Sequence, residues 1–434
     1  MSKFLLRTGM IAASAVLLAS CTSQGGEAPS SSAESSASTA AEAAQVTPNV
    51  TAPSEAAKLP EVRHQTPRIA LSYDGGVMVL DAGDLDKGKA PEVVKDLEKD
   101  GYLRLNDAGD GRHVFVSTGN AFEVLDIGSY HVPHGDHSHY YAGDPSFTGF
   151  SAEAAKPGHV TTDGEKTVLF DDENGTVTTI NLEDFSVEDA FKVPTPHHGV
   201  AHLNHDGTYM VTVSDQEGKR LGVAQVKADG TEIKRFEQCP GVHGAKEAAD
   251  GAVFVGCTDG GLIYKDGEVT KVKAEDAYAR IGNQAGTTES PYVLGDYKTD
   301  KKAADEEKLE RPEKVSVTDT RTGKLTVVDL GTSYTFRSLG VNKDGLGVVL
   351  GTDGNLHLID LEKGAVTKTI NVISPWEESE TWQDPRPALS VQGHIAYVTD
   401  PSTNTLHVID LNGEKEALKV ELPHTPDEIV STEG

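Results

Sequence analysis

A histidine-rich segment carries the clearest chemical signal in this sequence. It reads His131-Val-Pro-His134-Gly-Asp136-His137-Ser-His139-Tyr-Tyr141, so four imidazoles occur within nine residues. Imidazole suits zinc, copper and nickel, and histidines without a nearby thiol or methionine favour Zn(II) over Cu(I). The segment therefore predicts a zinc site made by His131, His134, His137 and His139. A surface loop that is merely rich in histidine is the alternative.

The composition of this segment also constrains its backbone. Pro133 and Gly135 exclude a regular helix. His137 and His139 are two residues apart, so they share one face if the chain is extended there. We expect a loop that follows a strand ending at Asp126.

A second set of histidines is spread over three segments of the chain. These segments are Lys156-Pro-Gly-His159, Pro196-His-His198-Gly-Val-Ala-His202 with His205 beyond it, and Pro240-Gly-Val-His243-Gly. His198 and His243 share a His-Gly context and are the best candidate pair, with His159 as a third zinc ligand. The alternative is that each histidine is satisfied separately by backbone hydrogen bonds. For His357 and His407, which lie in matching alternating segments, a structural role is predicted.

Other catalytic signatures are absent from the sequence. It contains no Gly-x-Ser-x-Gly elbow, no Walker loop and no His-Glu-x-x-His. The prediction is that the protein is not an enzyme.

The elements that must position these histidines repeat along the chain. Asp-Gly turn signals recur, each followed by a short apolar run, which indicates hairpins in series. Alternating strands ending in aspartate also recur, and three of them, Val315–Asp319, Leu356–Asp360 and Leu406–Asp410, are spaced by 41 and 50 residues. Repeats of this length predict an all-β fold, a β-propeller of four-stranded blades. In such a fold the first strand of each blade lines a central channel, so histidines from three consecutive blades can converge.

The repeat pattern favours eight blades over seven. Candidate blades begin near Arg68, Tyr102, Lys156, His197, Gly241, Tyr278, Tyr334 and Arg386. The first of them lacks an inner strand, which the tail Asp427-Glu-Ile-Val430 could supply to close the ring. Seven blades remain an alternative, because the charged insertion at 298–314, predicted to be a solvated loop, blurs one boundary.

The N-terminal region predicts export and a lipid anchor. Lys3 and Arg7 precede an apolar stretch that ends in Leu18-Ala-Ser-Cys21, a signal-peptide order too short to span a membrane as a mature helix. Small residues before a cysteine resemble the lipobox of bacterial lipoproteins, with Cys21 as the diacylated residue. An ordinary secretory signal is the alternative. Residues 1–21 are thus predicted to be a leader, 22–60 a disordered tether rich in small and polar residues, and 61–434 a single propeller domain.

The charge and the cysteine content limit which partners the protein can bind and which oxidation state its cysteines have. With 68 acidic and 39 basic side chains, the net charge of −29 excludes nucleic acid and anionic headgroups as partners. The membrane is therefore contacted through the lipid anchor only. After Cys21, only Cys239 and Cys257 remain, and an even pair in an exported protein predicts a disulfide; free thiols or metal ligands are the alternative.

The combination of an exported propeller, the His-x-x-His-Gly-Asp-His-x-His segment and the Pro196–His202 segment resembles the AztD-type zinc metallochaperones. The likeness extends from about Leu59 to the C-terminus. It implies a protein that binds Zn(II) outside the cytoplasm and passes it to the solute-binding protein of a zinc ABC importer. The lipobox departs from the expected soluble periplasmic form and indicates attachment to the outer face of the bacterial cell membrane.

Two other classes of function remain open from the sequence. A propeller enzyme, lactonase-like or dehydrogenase-like, would hold a catalytic metal in the channel and would need an open coordination position and a substrate pocket. A metal-free interaction propeller would use its rim to bind a protein partner.

Overall fold

Short strands joined by tight turns build almost the whole of the described chain. The computed structural model describes residues 44–53, 57–85, 87–164 and 166–434. Within these residues the strands form eight sheets of four or five strands in series, together with one small three-stranded sheet. We number the eight sheets as blades 1 to 8. The predicted β-propeller is confirmed, and the sheet count is compatible with eight blades.

Hydrogen bonding sets the order of the strands within blades 1 to 4. Blade 1 contains Ile429–Thr432, Arg68–Tyr73, Gly76–Asp81 and Glu92–Glu98. Blade 2 contains Arg104–Asp107, His113–Ser117, Ala121–Asp126, Ser146–Glu153 and Val50–Thr51. Blade 3 contains Pro157–Asp163, Lys166–Asp171, Thr176–Asn181, Val187–Lys192 and Ala44–Gln45. Blade 4 contains Ala201–Leu203, Tyr209–Ser214, Arg220–Val226 and Glu232–Phe236.

Blades 5 to 8 follow the same order. Blade 5 contains His243–Ala248, Ala252–Cys257, Gly260–Lys265 and Glu268–Lys273. Blade 6 contains Gln284–Ala285, Tyr292–Tyr297, Lys314–Asp319 and Lys324–Asp329. Blade 7 contains Leu339–Val341, Leu346–Leu350, Asn355–Asp360 and Ala365–Asn371. Blade 8 contains Leu389–Gln392, Ile395–Asp400, Thr405–Asp410 and Lys415–Glu421. The three-stranded sheet contains Ser129–His134, His137–Ala142 and Glu61–Val62.

Aspartates at the ends of third strands explain why alternating segments that end in aspartate recur in the sequence. Asp319, Asp360 and Asp410 each accept a hydrogen bond from a backbone N–H two or three residues later, at 2.9–3.0 Å. A short acidic side chain can cap a turn in this way and so end the strand. In blades 6, 7 and 8 the repeat thus marks the turn between the third and fourth strands.

Apolar side chains are buried between neighbouring blades. The described residues form eight buried apolar clusters, and each one joins two consecutive blades. In one example Phe191 of blade 3 packs against Tyr209 of blade 4, with ring centroids 5.3 Å apart. Because each blade buries its faces only against neighbours, stacking supplies the hydrophobic stabilisation.

The last cluster joins blade 8 to blade 1 and closes the ring. Ile69 and Met78 pack there against Tyr397 and Leu406. The C-terminal strand Ile429–Thr432 pairs antiparallel with Arg68–Tyr73 as the innermost strand of blade 1. The tail therefore supplies the missing strand, as predicted.

Two expectations about irregular segments need correction. The predicted tether extends to residue 60, but Ala44–Gln45 and Val50–Thr51 pair with the outer strands of blades 3 and 2. The unpaired backbone groups of an edge strand can form hydrogen bonds with a segment of only two extended residues. Amino-acid composition does not indicate such short pairings. The charged insertion contains one short helix, Lys301–Asp305, which the Asp300 side chain caps by accepting from the Ala303 N–H at 3.0 Å.

The predicted leader, the lipidated Cys21 and most of the predicted tether lie outside the described residues. Among the residues that are described, no helix has the length and apolar character needed to cross a membrane.

Candidate metal centre

Three histidines from consecutive blades converge where the first strands of those blades begin. His159 lies in the first strand of blade 3, His198 precedes the first strand of blade 4, and His243 opens the first strand of blade 5. Their ring centroids are 4.8 Å apart for His159 and His198, and 5.0 Å apart for the other two pairs. We call this group the channel site.

Each imidazole of the channel site is held through its Nδ1 atom. His159 donates to the backbone carbonyl of Gly199 at 2.8 Å, and His243 donates to that of Gly282 at 2.5 Å. His198 donates to the Asp172 carboxylate at 2.6 Å. A ligating histidine is normally fixed by such a bond, which leaves Nε2 free to bind metal.

The distances among the free nitrogens suit a tetrahedral ion. Two ligand atoms about 2.1 Å from a tetrahedral zinc lie about 3.4 Å apart. The Nε2 atoms of His198 and His243 are 3.0 Å apart, and one nitrogen from each of the three rings lies within 4.8 Å of the others. Three imidazoles in this arrangement can hold Zn(II) with one coordination position left open.

Electrostatics keep two of these imidazoles neutral. Burial, reinforced by the nearby His198, lowers the pKa of His159 to about 4. Burial also lowers the pKa of His243 well below its usual value, with His159 and Arg280 acting in the same direction. A neutral imidazole is the metal-binding form.

Close packing explains the glycine that follows two of these histidines. A Cβ atom at Gly199 would lie 2.5 Å from the ring of Phe170 and 2.6 Å from Thr212 Oγ1. Gly244 has a φ of +69°, and a Cβ there would lie 2.2 Å from Gln284 Oε1. Only glycine fits at these positions, so the shared His-Gly context reflects packing around the channel site.

A disulfide fixes the segment that leads into His243. Cys239 and Cys257 are joined, as predicted, across a sequence separation of 18 residues. Both half-cystines are fully buried. Cys239 lies four residues before His243, so the bond ties the segment that leads into the first strand of blade 5 to the end of the second strand.

The histidine-rich segment forms a β-hairpin and not the expected loop. Ser129–His134 pairs with His137–Ala142, and Gly135 and Asp136 make the turn. His134 lies directly opposite His137, and the ring centroids of His134, His137 and His139 are 5.1–5.4 Å apart. We call these three residues the hairpin site.

The side chains of the hairpin site make polar contacts and are accessible to solvent. His134 Nδ1 and His139 Nε2 are 3.4 Å apart, which matches the edge of a zinc tetrahedron. His139 Nδ1 donates to Glu61 at 2.8 Å, so this carboxylate orients the ring. His134 and His137 are exposed, and exposed ligands can exchange with those of another protein.

His131 does not belong to the hairpin site. It is three residues from His134 on the same strand, and alternation therefore places the two side chains on opposite faces. Its Nδ1 atom donates to the backbone carbonyl of Gly434 at 2.8 Å. The expectation of four ligands is corrected to three, and strand parity in the sequence could have revealed this.

Other histidines are held within their own blades. His197 contacts Thr195 O and Thr212 Oγ1, both at 2.8 Å. His407 contacts Glu416 at 2.6 Å, and His357 lies 3.2 Å from Asp353. The contacts of His357 and His407 fit the structural role predicted for them, and neither belongs to the groups of possible metal ligands found among the described residues.

Sequence reasoning missed the residues that orient the ligands. Asp172 follows a strand of blade 3 and is buried, and it also accepts from the Gly199 N–H at 3.3 Å. Glu61 lies in a two-residue strand near the N-terminal end of the folded part, where the sequence indicates no role for it. Asp172 reaches His198 from the neighbouring blade, and Glu61 reaches His139 from a paired strand 78 residues earlier in the chain, so the local sequence indicates neither contact.

Comparison with curated proteins supports the resemblance to AztD-type proteins. The chain is 27% identical over 378 residues to the zinc chaperone AztD of Citrobacter koseri, covering 82% of this chain and 84% of that one. No protein-family model matches the sequence. The resemblance is therefore confirmed at the level of sequence similarity.

Comparison with solved structures agrees on the fold. The apo form of AztD from Citrobacter koseri superposes with a TM-score of 0.71 at 20% identity, covering 85% of this chain and 98% of that one. A second AztD structure from the same organism gives 0.70 at 21% identity, with coverages of 86% and 99%. A dihydro-heme d1 dehydrogenase, NirN, gives 0.55 at 12% identity, with coverages of 88% and 79%. At these identities the likeness concerns the propeller fold alone.

Proposed function

We propose that this protein is an extracytoplasmic zinc metallochaperone that delivers Zn(II) to the solute-binding protein of a zinc ABC importer. The observation that carries the proposal is the convergence of His159, His198 and His243, each with its Nδ1 atom fixed. Similarity to a protein named as a zinc chaperone supports the same role. Zinc is cargo in this role and not a catalytic cofactor.

The channel site has the properties of a storage position. Its ligands stand on or beside the inner strands of three blades, so little conformational freedom is lost when they bind an ion. Two of its imidazoles are kept neutral by burial, which favours retention at neutral pH. The side chain of His198 is 44% exposed. His198 is therefore the ligand that a zinc-binding group of a partner protein can approach and replace.

The hairpin site has the properties of a capture and exchange position. Its imidazoles stand at the turn of a hairpin that projects between the third and fourth strands of blade 2. Ligands there can be replaced one at a time by those of a partner, so the free ion is never released. The partner is a solute-binding protein whose own ligands complete this exchange.

An enzymatic role has less support. The curated relative is a zinc chaperone, in agreement with the prediction that the chain is not an enzyme. The likeness to a dehydrogenase is limited to the fold. For location, we propose an exported protein held on the outer face of the membrane through lipidated Cys21.

A transfer assay tests the proposed function. The zinc-loaded protein is mixed with the metal-free solute-binding protein of a zinc importer, in the presence of a chelator that intercepts free ion. We expect zinc to reach the solute-binding protein faster than the chelator removes it from the loaded protein alone. A zinc-binding protein unrelated in sequence and of matched affinity serves as the control.

Two results would overturn the proposal. Protein purified without a histidine tag could fail to bind a stoichiometric amount of Zn(II) when excess Zn(II) is added. That result would leave the metal-free interaction propeller as the remaining alternative. Alternatively, zinc could reach the solute-binding protein no faster than it reaches the chelator, which would exclude direct delivery.

A further inference from the structure

A third group of potential ligands lies at the other ends of the same three inner strands. Asp163 ends the first strand of blade 3, His205 follows the first strand of blade 4, and Glu247 lies near the end of the first strand of blade 5. One ligand atom from each residue lies within 4.8 Å of the others. The group therefore repeats the three-blade arrangement of the channel site with a different donor set.

The group is distinct from the channel site. Asp163 is four residues after His159, and Glu247 is four residues after His243. At about 3.3 Å per residue along a strand, this spacing separates the two groups by ~13 Å. One ion cannot be shared across that distance, so occupation of one group leaves the other available.

Distances within the group are compatible with metal coordination. His205 Nε2 lies 3.3 Å from Glu247 Oε1 and 3.7 Å from Asp163 Oδ1. Ligands on a tetrahedral zinc with bonds of about 2.1 Å are about 3.4 Å apart. His205 therefore lies between two carboxylates at distances close to those between the ligands of one zinc ion.

Charge also favours a cation at this position. Asp163 and Glu247 bring two carboxylates to one imidazole. The other oxygen of Glu247 lies 3.8 Å from His202, which is too far for a hydrogen bond. A divalent ion would balance both carboxylates while imidazole supplied a neutral ligand.

We propose that Asp163, His205 and Glu247 form an additional binding site for a divalent transition-metal ion, and that the bound ion is Zn(II). One imidazole and two carboxylates are a donor set that zinc accepts. The side chain of His205 is 66% exposed, whereas that of Glu247 is 12% exposed. The site therefore opens to solvent on one side, and it exchanges its ion more readily than the channel site. This inference does not depend on transfer to a partner.

A binding experiment in a reduced background tests this proposal. The background variant carries His134→Ala, His137→Ala, His139→Ala, His198→Ala and His243→Ala, which together remove the hairpin and channel ligands. Its zinc stoichiometry is measured by titration calorimetry with Zn²⁺, after circular dichroism has verified the fold. We expect one zinc equivalent to remain, and we expect its loss when Glu247→Gln is added.

A second variant and a control keep the test decisive if Glu247→Gln disturbs folding. His205→Gln changes an exposed side chain and should also remove the remaining equivalent. Asp229→Asn removes a charge from an exposed hairpin turn of blade 4 and should retain it. The same His205→Gln change in the parent protein should lower total zinc stoichiometry by one equivalent.

Three outcomes would reject the additional site. The background variant could bind no zinc, which would leave the group as an ion-pair network only. The remaining equivalent could survive both Glu247→Gln and His205→Gln, or it could be lost equally in Asp229→Asn. Each of these results concerns binding alone, so a failure of transfer to the solute-binding protein would not produce them.

Discussion

The Nε2 atoms of His198 and His243 face each other at 3.0 Å, although 45 residues separate these histidines in sequence. Both Nδ1 atoms are already used as donors, to Asp172 and to Gly282 O. Two nitrogen lone pairs at this distance repel each other unless a proton or a metal ion lies between them. The fold therefore holds a pair of ligands in a geometry that an ion relieves.

Loss of a channel ligand should weaken the tightest zinc-binding step. We expect His198→Ala and His243→Ala each to cost more than the roughly 10–100-fold that the loss of an orienting partner costs, because a ligand itself is removed. His407→Ala, which changes a histidine held by Glu416 within blade 8, should leave this step unchanged. Competition titration against a chelator measures all three variants. If neither channel variant differs from the parent, the channel site does not bind zinc.

Loss of the carboxylate behind His198 should weaken the same step by a smaller amount. Asp172→Asn keeps the shape of the side chain but removes the charge that orients the ring through Nδ1. We expect affinity to fall by about 10–100-fold. Asp184→Asn, which changes an exposed turn residue of blade 3, is the matched control. Equal affinities for the parent and Asp172→Asn would show that His198 needs no charged partner.

Removal of the hairpin ligands should affect zinc capture but not folding. With His134, His137 and His139 all changed to Ala, we expect zinc stoichiometry or the rate of transfer to fall while the circular dichroism spectrum stays unchanged. The turn of the hairpin is exposed, so little apolar packing is lost.

His131→Ala is the matched control on the opposite face of the same hairpin, and it should retain full zinc binding. If stoichiometry, affinity and transfer in the triple variant all equal those of the parent, the hairpin is not a zinc site.

The disulfide should contribute to both stability and zinc affinity. Changing Cys239 and Cys257 to Ser opens a loop whose closure is worth about 3 kcal/mol in the chain-entropy estimate. We expect the free energy of unfolding in urea to fall by about that amount. The tightest zinc step should also weaken, because the segment leading into His243 loses its anchor. Two alkylatable thiols in the denatured, unreduced parent protein would contradict this prediction.

Membrane attachment should depend on Cys21 alone. We expect Cys21→Ser to release the protein from the membrane fraction, since acylation and not a spanning helix is proposed as the anchor. Fractionation of cells followed by immunoblotting compares the variant with the parent. Continued retention of the Cys21→Ser protein in membranes would count against the lipoprotein proposal.

The sequence by itself determined the repeat architecture. The patterns that indicate a propeller are local: alternating strands, Asp-Gly turns and third strands that end in aspartate. Each pattern recurs in enough blades to be recognised, although some blades depart from it. The C-terminal strand Ile429–Thr432 could also be inferred, because the first blade lacked one strand and the tail had the required alternation. Local chemistry likewise indicated the histidine pairs and the cysteine pair.

Only the tertiary structure decided which side chains meet. His159, His198 and His243 come together because consecutive blades place their first strands side by side around the channel, and this contact is not encoded near any one histidine. The contact of Asp172 with His198 and the group formed by Asp163, His205 and Glu247 join different blades. Glu61 reaches His139 from a paired strand 78 residues earlier in the chain. Strand alternation then turned His131 away from its neighbours. Hydrogen bonds and ligand geometry depend on tenths of an ångström, and the packing of whole blades, not local sequence, sets those distances.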